Sequence, residues 1–318
     1  MKLLFIAVII GVVNMFLQQQ TVIVENNNRD SLKMLFLGDV MLGRNVGKYI
    51  KEGTDSFFYT KKITKKYNIV SANLEGPITN TLNCQKKAYS FKFNPDIATI
   101  LADNNIGVVS LANNHSFDCY YKGLDDTRKY LTENQIGYFG GGNSQQSFII
   151  REINNHKIAF IGIDLSIGGI PTRVFYPIIE QLDKENDFVV VNIHWGNEYE
   201  LNYSTAQQIV GHALIDSGAD IIIGHHPHVI QPIEIYKNKP IFYSLGNFIF
   251  DQFAEQTTKG VAVEVVLDKK STATVRILPY QRTGVQPIFF TKNKEEIFCN
   301  NFLQHISSRK KCSFGFTY

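Results

Sequence analysis

The sequence has little charge of one sign to spare: 32 basic side chains stand against 29 acidic ones in 318 residues, a formal net charge of +3. That balance excludes the broad basic surface by which a protein takes nucleic acid as a partner. The short basic runs at 61–66 and 309–311 read as solvated surface, and the first has no row of aromatic stacking residues beside it. Low-complexity stretches are missing too, which excludes long disordered arms. The four cysteines, Cys84, Cys119, Cys299 and Cys312, lack the paired spacing of a metal finger, so thiolate metal chemistry is not expected. Either they join in one of the three full pairings that four cysteines allow, or they remain isolated thiols.

Long apolar runs are confined to the amino terminus. Lys2 precedes residues 3–17, which are apolar except for Asn14 and end at Gln18-Gln19-Gln20. A stable membrane span takes about 20 apolar residues, so the run is short for one. No small-x-small cleavage site is clear and no nearby cysteine can accept lipid. Residues 1–20 are expected to be a secretory signal peptide or an N-terminal membrane anchor; the remaining alternative is a buried strand or helix. Either of the first two puts the rest of the chain outside the cytoplasmic membrane. Residues 21–32 form a polar linker, and 33–318 suit a single domain with a substantial core, given 44% hydrophobic and 12% aromatic residues.

Within that domain a unit recurs: a short buried strand, a polar tip, then a helix or hairpin. Apolar runs at 34–37, 68–72, 108–112, 188–193, 219–223 and 241–244 read as strands. Helical periodicity covers 95–104, 124–132 and 204–216, the last with a serine or threonine cap and a stop at Gly218. Residues 148–153 and 157–163 suggest a hairpin around Asn154-Asn155, 261–267 and 272–278 suggest paired strands, and a final helix is expected over 294–306. The fold class is α/β. Helices and hairpins both divide the strands, which fits a two-layered sheet core with flanking helices better than a doubly wound sheet.

The polar tips carry the chemistry. Asp39, Glu75, Asn114, His115, His194, His226 and His228 all fall at strand ends or just beyond them. So many polar side chains beside buried strands need a shared partner to offset desolvation, and a metal supplies one. In an extended segment residues two apart face the same way, and Pro227 favours extension of His226. His226 and His228 are therefore expected as ligands, with His225 turned away in a supporting role; the other register would face His225 to the ions. Asp39 and Glu75 offer anionic oxygen, Asn114 a carbonyl, and His194 an imidazole. His115 suits a proton donor whose tautomer Asp118 holds, and Arg44 suits an anionic substrate. Asn247 and Asp251 are weaker candidates, and Trp195 and Tyr199 are candidates for an aromatic pocket wall. This donor set fits one or two divalent transition ions, manganese, iron or zinc, better than calcium.

The segments GDVMLGR from Gly38, NLEGPIT from Asn73, NNHSFD from Asn113, HWGNEY from His194, GADIIIGHHPH from Gly218 and YSLGNFIFD from Tyr243 resemble those of the bacterial CapA, or poly-gamma-glutamate (PGA-cap), capsule-biosynthesis family. That family is similar to the calcineurin-like metallophosphatases, whose fold is a two-sheet β-sandwich flanked by helices with a two-metal site at the strand ends. The resemblance implies metal ligation by Asp39, Glu75, Asn114, His194, His226 and His228 and catalysis by His115. It also shows two departures: Met41 stands where a metallophosphatase has histidine, and Glu75 stands for a bridging aspartate. It implies an extracytoplasmic metal-dependent hydrolase or transferase of an anionic polymer, with a phosphate or amide substrate and capsule-synthesis membrane proteins as partners, and membrane contact through the amino terminus. If that terminus is cleaved, the protein is secreted or periplasmic. The competing classes are a non-catalytic component that binds or exports the polymer and a secreted phosphoesterase or nuclease.

Overall fold

Continuous apolar runs build two sheets in the computed structural model, which describes residues 22–23, 31–142, 147–168, 171–268, 272–304 and 312–318. In chain order the strands begin with β1 (Val22–Ile23), β2 (Leu32–Val40), β3 (Ile69–Leu74), β4 (Val108–Ser110) and β5 (Gly137–Phe139). They continue with β6 (Phe148–Ile153), β7 (His156–Asp164), β8 (Phe188–His194), β9 (Ile221–His225), β10 (Ile233–Tyr236) and β11 (Lys239–Phe242). The last are β12 (Asn247–Ile249), β13 (Lys259–Leu267), β14 (Thr272–Thr283), β15 (Gln286–Phe289) and β16 (Ser313–Thr317). The described α-helices are α1 (Arg44–Lys51), α2 (Lys61–Thr64), α3 (Asp96–Asp103) and α4 (Tyr120–Glu133), then α5 (Tyr176–Glu185), α6 (Thr205–Asp216) and α7 (Lys292–Phe302).

One sheet has the order β1-β6-β7-β8-β9-β11-β10 and the other β15-β14-β13-β2-β3-β4-β5, with β12 on β2 and β16 on β14. Their inner faces share a core in which Met34 and Phe36 of β2 join Phe160, Phe188 and Ile223. On the outer face of the second sheet lie Val46, Ile97 and Leu124 from the helices; on that of the first lie Ile179, Leu182 and Leu214. The result is the expected two-sheet sandwich flanked by helices. Strands β2, β3 and β4 run parallel, as do β7, β8 and β9. Their carboxyl ends therefore open on a common edge, where such folds hold ligands.

Local rules explain several elements. Asn154 and Asn155 have φ of 53° and 63°, the left-handed pair that a two-residue hairpin between β6 and β7 requires. Ser204 caps α6 by accepting from the Gln207 backbone while the Gln207 side chain accepts from Ser204, a capping box. The helix over 95–104 is α3, with Pro95 at its cap. The sequence did not mark α1, α5 or the strands β15 and β16. The final helix starts at Lys292 and ends at Phe302, and residues 305 and 306 of its expected span lie outside the described residues. Residues 1–20 lie outside them as well. Two ends of the expected linker belong to sheets: Leu32 opens β2, and Val22–Ile23 pair with Arg151 and Glu152. Among the described residues no helix is long and apolar enough to cross a membrane.

The cysteines pair as Cys84–Cys119 and Cys299–Cys312. The first fastens the loop that carries Lys87, Tyr89 and Phe91 to the residue that precedes α4.

One close approach fixes where Asp39 sits. A Cβ on Gly38 would stand 1.9 Å from the Gly246 carbonyl oxygen, and the Asp39 N–H donates to that same oxygen at 3.1 Å. Gly38→Ala is expected to force β2 off the Gly246 turn and cost about 3 kcal/mol. A denaturant midpoint equal to that of the wild type contradicts this packing.

Candidate metal centre

The strand register assembles the polar tips. Asp39 lies opposite Asn73 on β3 and Asn247 on β12, and His194 lies opposite both Asp164 and His225. Asp39, Asn73, Glu75 and Asn247 are each 0% exposed and His194 is 1% exposed, so their polar atoms must be satisfied within the protein.

Asn73 is the hub. Its Nδ2 donates to Asp39 Oδ1 at 2.9 Å and to Glu75 Oε1 at 3.2 Å, and its Oδ1 accepts from Asn113 Nδ2 at 3.0 Å. His194 Nε2 stands 3.0 Å from Asn114 Oδ1 and 3.6 Å from Glu75 Oε1. His225 Nδ1 stands 3.0 Å from Asp39 Oδ1. His228 Nδ1 lies 3.0 Å from Asn247 Oδ1 and 3.2 Å from Asp39 Oδ2. The His226 ring centroid is 4.6 Å from that of His194 and 6.0 Å from that of His228. Asp39, Glu75, Asn114, His194, His226 and His228 thus share one locality.

The histidine pair does not lie on an extended strand, as alternation would have it. Strand β9 ends at His225, and His226 and His228 take φ of 98° and 58°, so alternation does not run through Pro227. His225 is buried against Asp39, not turned away. Positive φ at two non-glycine residues is costly and clusters at functional loops.

Whether these residues suit a cation can be read from their hydrogen bonds. Glu75 Oε2, His225 Nε2 and His226 Nδ1 are buried and find no hydrogen-bond partner. Other buried atoms without partners are scattered through the protein, but these three stand together, and a cation among them would satisfy all three. Two sets of ligand atoms lie within 4.8 Å of one another, Asp39–Glu75–His228 and Glu198–His226–His228, and His228 belongs to both. Oxygen and imidazole donors in these sets fit a divalent transition metal. Met41 is fully buried and its Sδ accepts from the Gly43 N–H at 3.2 Å, so it serves the turn.

The electrostatics divide this donor set: His194 and His226 favour the ligating form, whereas Glu75 and His228 must give up a proton to ligate. Burial favours protonating Asp39, but its hydrogen bonds to His225 and His228 and their charges outweigh burial and hold it well below the usual carboxylate range. Burial and then the Asp39 charge push Glu75 well above that range. Burial and His226 depress His194 strongly, and burial and His228 push His226 down to about 4. Burial lowers His228 too, yet Glu75 and Asp39 overcome it and raise the group to about 9. His194 and His226 are therefore neutral at pH 7, the form that ligates metal.

His115 stands beside this cluster. Its Nδ1 is 2.8 Å from Asp118 Oδ2, and its ring stacks on Phe91 with centroids 3.9 Å apart. Asp118 Oδ2 also accepts from the Phe91 N–H at 2.6 Å, and Lys87 Nζ lies 2.5 Å from Asp118 Oδ1. Arg44 is held by Asp251 through Nε at 3.1 Å and Nη2 at 2.5 Å, the two-point geometry of guanidinium with carboxylate. Asn114, His115, His228, Arg44, Lys87 and Tyr199 line one cavity of about 440 Å³. Trp195, expected in a pocket wall, is 1% exposed and stacks on Tyr243 in the core.

Asn73, Glu198, Lys87 and His225 are members of this locality that the pattern of polar tips did not single out as ligands or catalytic groups. Asn73 is the penultimate residue of β3 and Glu75 the first beyond it, so the polar break at that strand end marks them as a pair. Glu198 and Lys87 carried no such signal, because they come from loops that tertiary structure brings in.

The family described as bacterial capsule synthesis protein PGA_cap matches residues 33–252. The chain is similar to the PGA biosynthesis protein CapA of Bacillus subtilis, 34% identical over 304 residues, covering 87% of this chain and 80% of the relative. It is similar also to the capsule biosynthesis protein CapA of Bacillus anthracis, 32% identical over 303 residues, with 86% and 74% covered. Among solved structures, a hypothetical protein of Thermus thermophilus superposes with a TM-score of 0.48 at 15% identity, covering 81% of this chain and 96% of that one.

Proposed function

From the premise that the chain belongs to the bacterial capsule synthesis protein PGA_cap family, we propose that it is a metal-dependent hydrolase or transferase acting on an anionic polymer of the poly-gamma-glutamate type. The observation that carries this reading is the set of buried ligand atoms without partners at Glu75, His225 and His226, beside a cavity lined by His115, Arg44 and Lys87. The ligands proposed are Asp39, Glu75, Asn114, His194, His226 and His228, joined by Glu198 at the cavity and by His225 through its free Nε2; they would hold one or two ions of manganese, iron or zinc. When bound, such an ion supplies Lewis-acid charge to a carbonyl or phosphoryl oxygen.

The protein's own residues divide the remaining work. Asp118 accepts from His115 Nδ1–H and so leaves Nε2 for the cavity, where the ring, when it carries a second proton there, gives that proton to the leaving atom of the substrate and is left neutral. Phe91, stacked on the ring, fixes its plane. Arg44, kept in place by Asp251, and Lys87, kept by Asp118, present positive charge to a substrate carboxylate or phosphate. We place this chemistry on the extracytoplasmic face of the membrane, with capsule-synthesis membrane proteins as partners. The apolar run at 3–17 and the two disulfides support that compartment.

Met41 favours a second reading. With a thioether committed to a turn where a related metallophosphatase would have a histidine, the protein can instead retain or deliver the polymer without cleaving it. Activity-guided reconstitution separates the two. The full chain, loaded with manganese, iron or zinc, is assayed on poly-gamma-glutamate and on model phosphoesters. Metal-dependent turnover of the polymer is the expected result. Stoichiometric metal and polymer binding with no turnover on either substrate would establish the carrier role instead, and turnover of phosphoesters alone would point to a phosphoesterase.

A further inference from the structure

A second cavity, of about 610 Å³, is lined by residues of α1 and of the start of α3. Arg44 belongs to the walls of both this cavity and the one that His115 lines, so the two lie on either side of that side chain. Along α1 the residues Arg44, Lys48 and Lys51 stand at i, i+4 and i+7, the spacing of one helix face, and all three line the second cavity. Val46, on another face, is buried in the core. Lys92 joins from the opposite chain segment, its Nζ donating to the Thr81 carbonyl at 3.2 Å. Against these four cations the lining holds a single carboxylate, Asp96. Lys48 has a loose partner in Glu52 at 3.9 Å, and its side chain is 70% exposed.

A basic last turn of a helix has an ordinary explanation, since cations there complement the helix dipole. That explanation does not call for the basic face to line a concavity, nor for Lys92 from outside the helix to complete it. Asp251 already pairs Arg44, which leaves Lys48, Lys51 and Lys92 against Asp96 in the lining, and in a chain whose total charge is only +3 that local surplus suits an anionic occupant. Arg44 gives the direction: the same side chain closes the cavity beside the metal ligands.

We infer that this groove is a track for the anionic polymer, in which a polycarboxylate chain runs from the His115 cavity past Arg44 and lies along Lys48, Lys51 and Lys92. The inference rests on the reading of the polymer as substrate. It adds that the protein holds several consecutive repeats beyond the one at the metal centre. The contacts are long-range and charge-based, so affinity rises with chain length and falls with salt.

The test compares two lengths of one chemistry. The full-length protein is titrated at low salt with a gamma-linked tri-glutamate and with a chain of about 20 residues, which at roughly 3.5 Å per residue or more extends beyond either cavity. The long chain is expected to bind more tightly. The double variant Lys48→Glu/Lys51→Glu is expected to lose about 10-fold in affinity for the long chain while tri-glutamate binding stays within about 2-fold. Lys157→Glu/Lys184→Glu, an equal charge change on β7 and α5, is expected to leave both unchanged, and the circular dichroism of every variant must match the wild type. An equal loss from the control pair, or equal loss for short and long chains, overturns the track. A single-stranded oligonucleotide of matched charge that binds as tightly, with the same dependence on Lys48 and Lys51, overturns the choice of occupant. The two readings fail separately: absence of turnover in the wild type with the length-dependent loss intact leaves the track standing and removes only the hydrolase.

Discussion

His228→Ala is expected to abolish the metal-dependent stabilisation of the protein and to lower polymer turnover by roughly 10²–10³-fold or more. This side chain is the common member of the two ligand sets, Asp39–Glu75–His228 and Glu198–His226–His228. Its Nδ1 is engaged by Asn247 at 3.0 Å and Asp39 at 3.2 Å. A carboxylate or amide on one ring nitrogen fixes the other for metal, and loss of even such an orienting partner costs about 10–100-fold in affinity. Removing the ring itself takes a ligand from both sets. A metal bound at 1,000 times its dissociation constant stabilises the native state by about 4 kcal/mol, which melting curves with and without metal resolve readily. The useful quantity is that increment. Absolute stability will fall for a separate reason, since Asp39, buried and fully ionised by its histidine partners, loses one of them. A His228→Ala protein whose melting temperature still rises with metal as the wild type does would remove His228 from the site.

His115→Ala is expected to lower turnover by about 10²–10⁴-fold while leaving the metal-dependent increment and polymer affinity in place. The ring is 2.8 Å from Asp118 and stacks on Phe91, and among the described residues no hydrogen bond joins it to the ligand side chains. Asp118→Asn is expected to reduce turnover as well, through loss of orientation. It also removes the charge that Lys87 approaches at 2.5 Å and weakens the acceptor of the Phe91 N–H, so both variants are compared on the metal-loaded fraction that remains folded. Equal turnover in the two proteins, measured on the same metal-loaded preparations, would exclude His115 as the proton donor.

Much of this site was legible because the sandwich puts its polar residues at the carboxyl ends of runs that are otherwise apolar. Asp39, His194 and His225 stand at or beside the last residues of β2, β8 and β9, where a break in hydrophobicity is visible by itself. The hairpin at Asn154-Asn155 and the cap at Ser204 were legible for the same kind of reason, since each depends on the chemistry of neighbouring residues. What failed was extrapolation of strand geometry past the strand. His226 and His228 leave β9 with positive φ, and no local rule announces that, because the surrounding contacts enforce it. Glu198 and Lys87 reach the site from loops, and α1 looks too polar for a core helix because its Arg44–Lys48–Lys51 face lines a groove. Trp195 looked like a pocket wall because it follows His194, yet one step beyond a strand end its ring turns to the other side, onto Tyr243.

Whether the buried cluster around His228 holds a divalent transition ion is tested most directly by the metal content of the purified full chain after incubation with manganese, iron or zinc and removal of loose metal, measured by mass spectrometry beside His228→Ala. The wild type is predicted to retain about one or two ions per chain and the variant far less than one. A wild type that retains no stoichiometric metal, or a His228→Ala protein that retains as much, would contradict the claim.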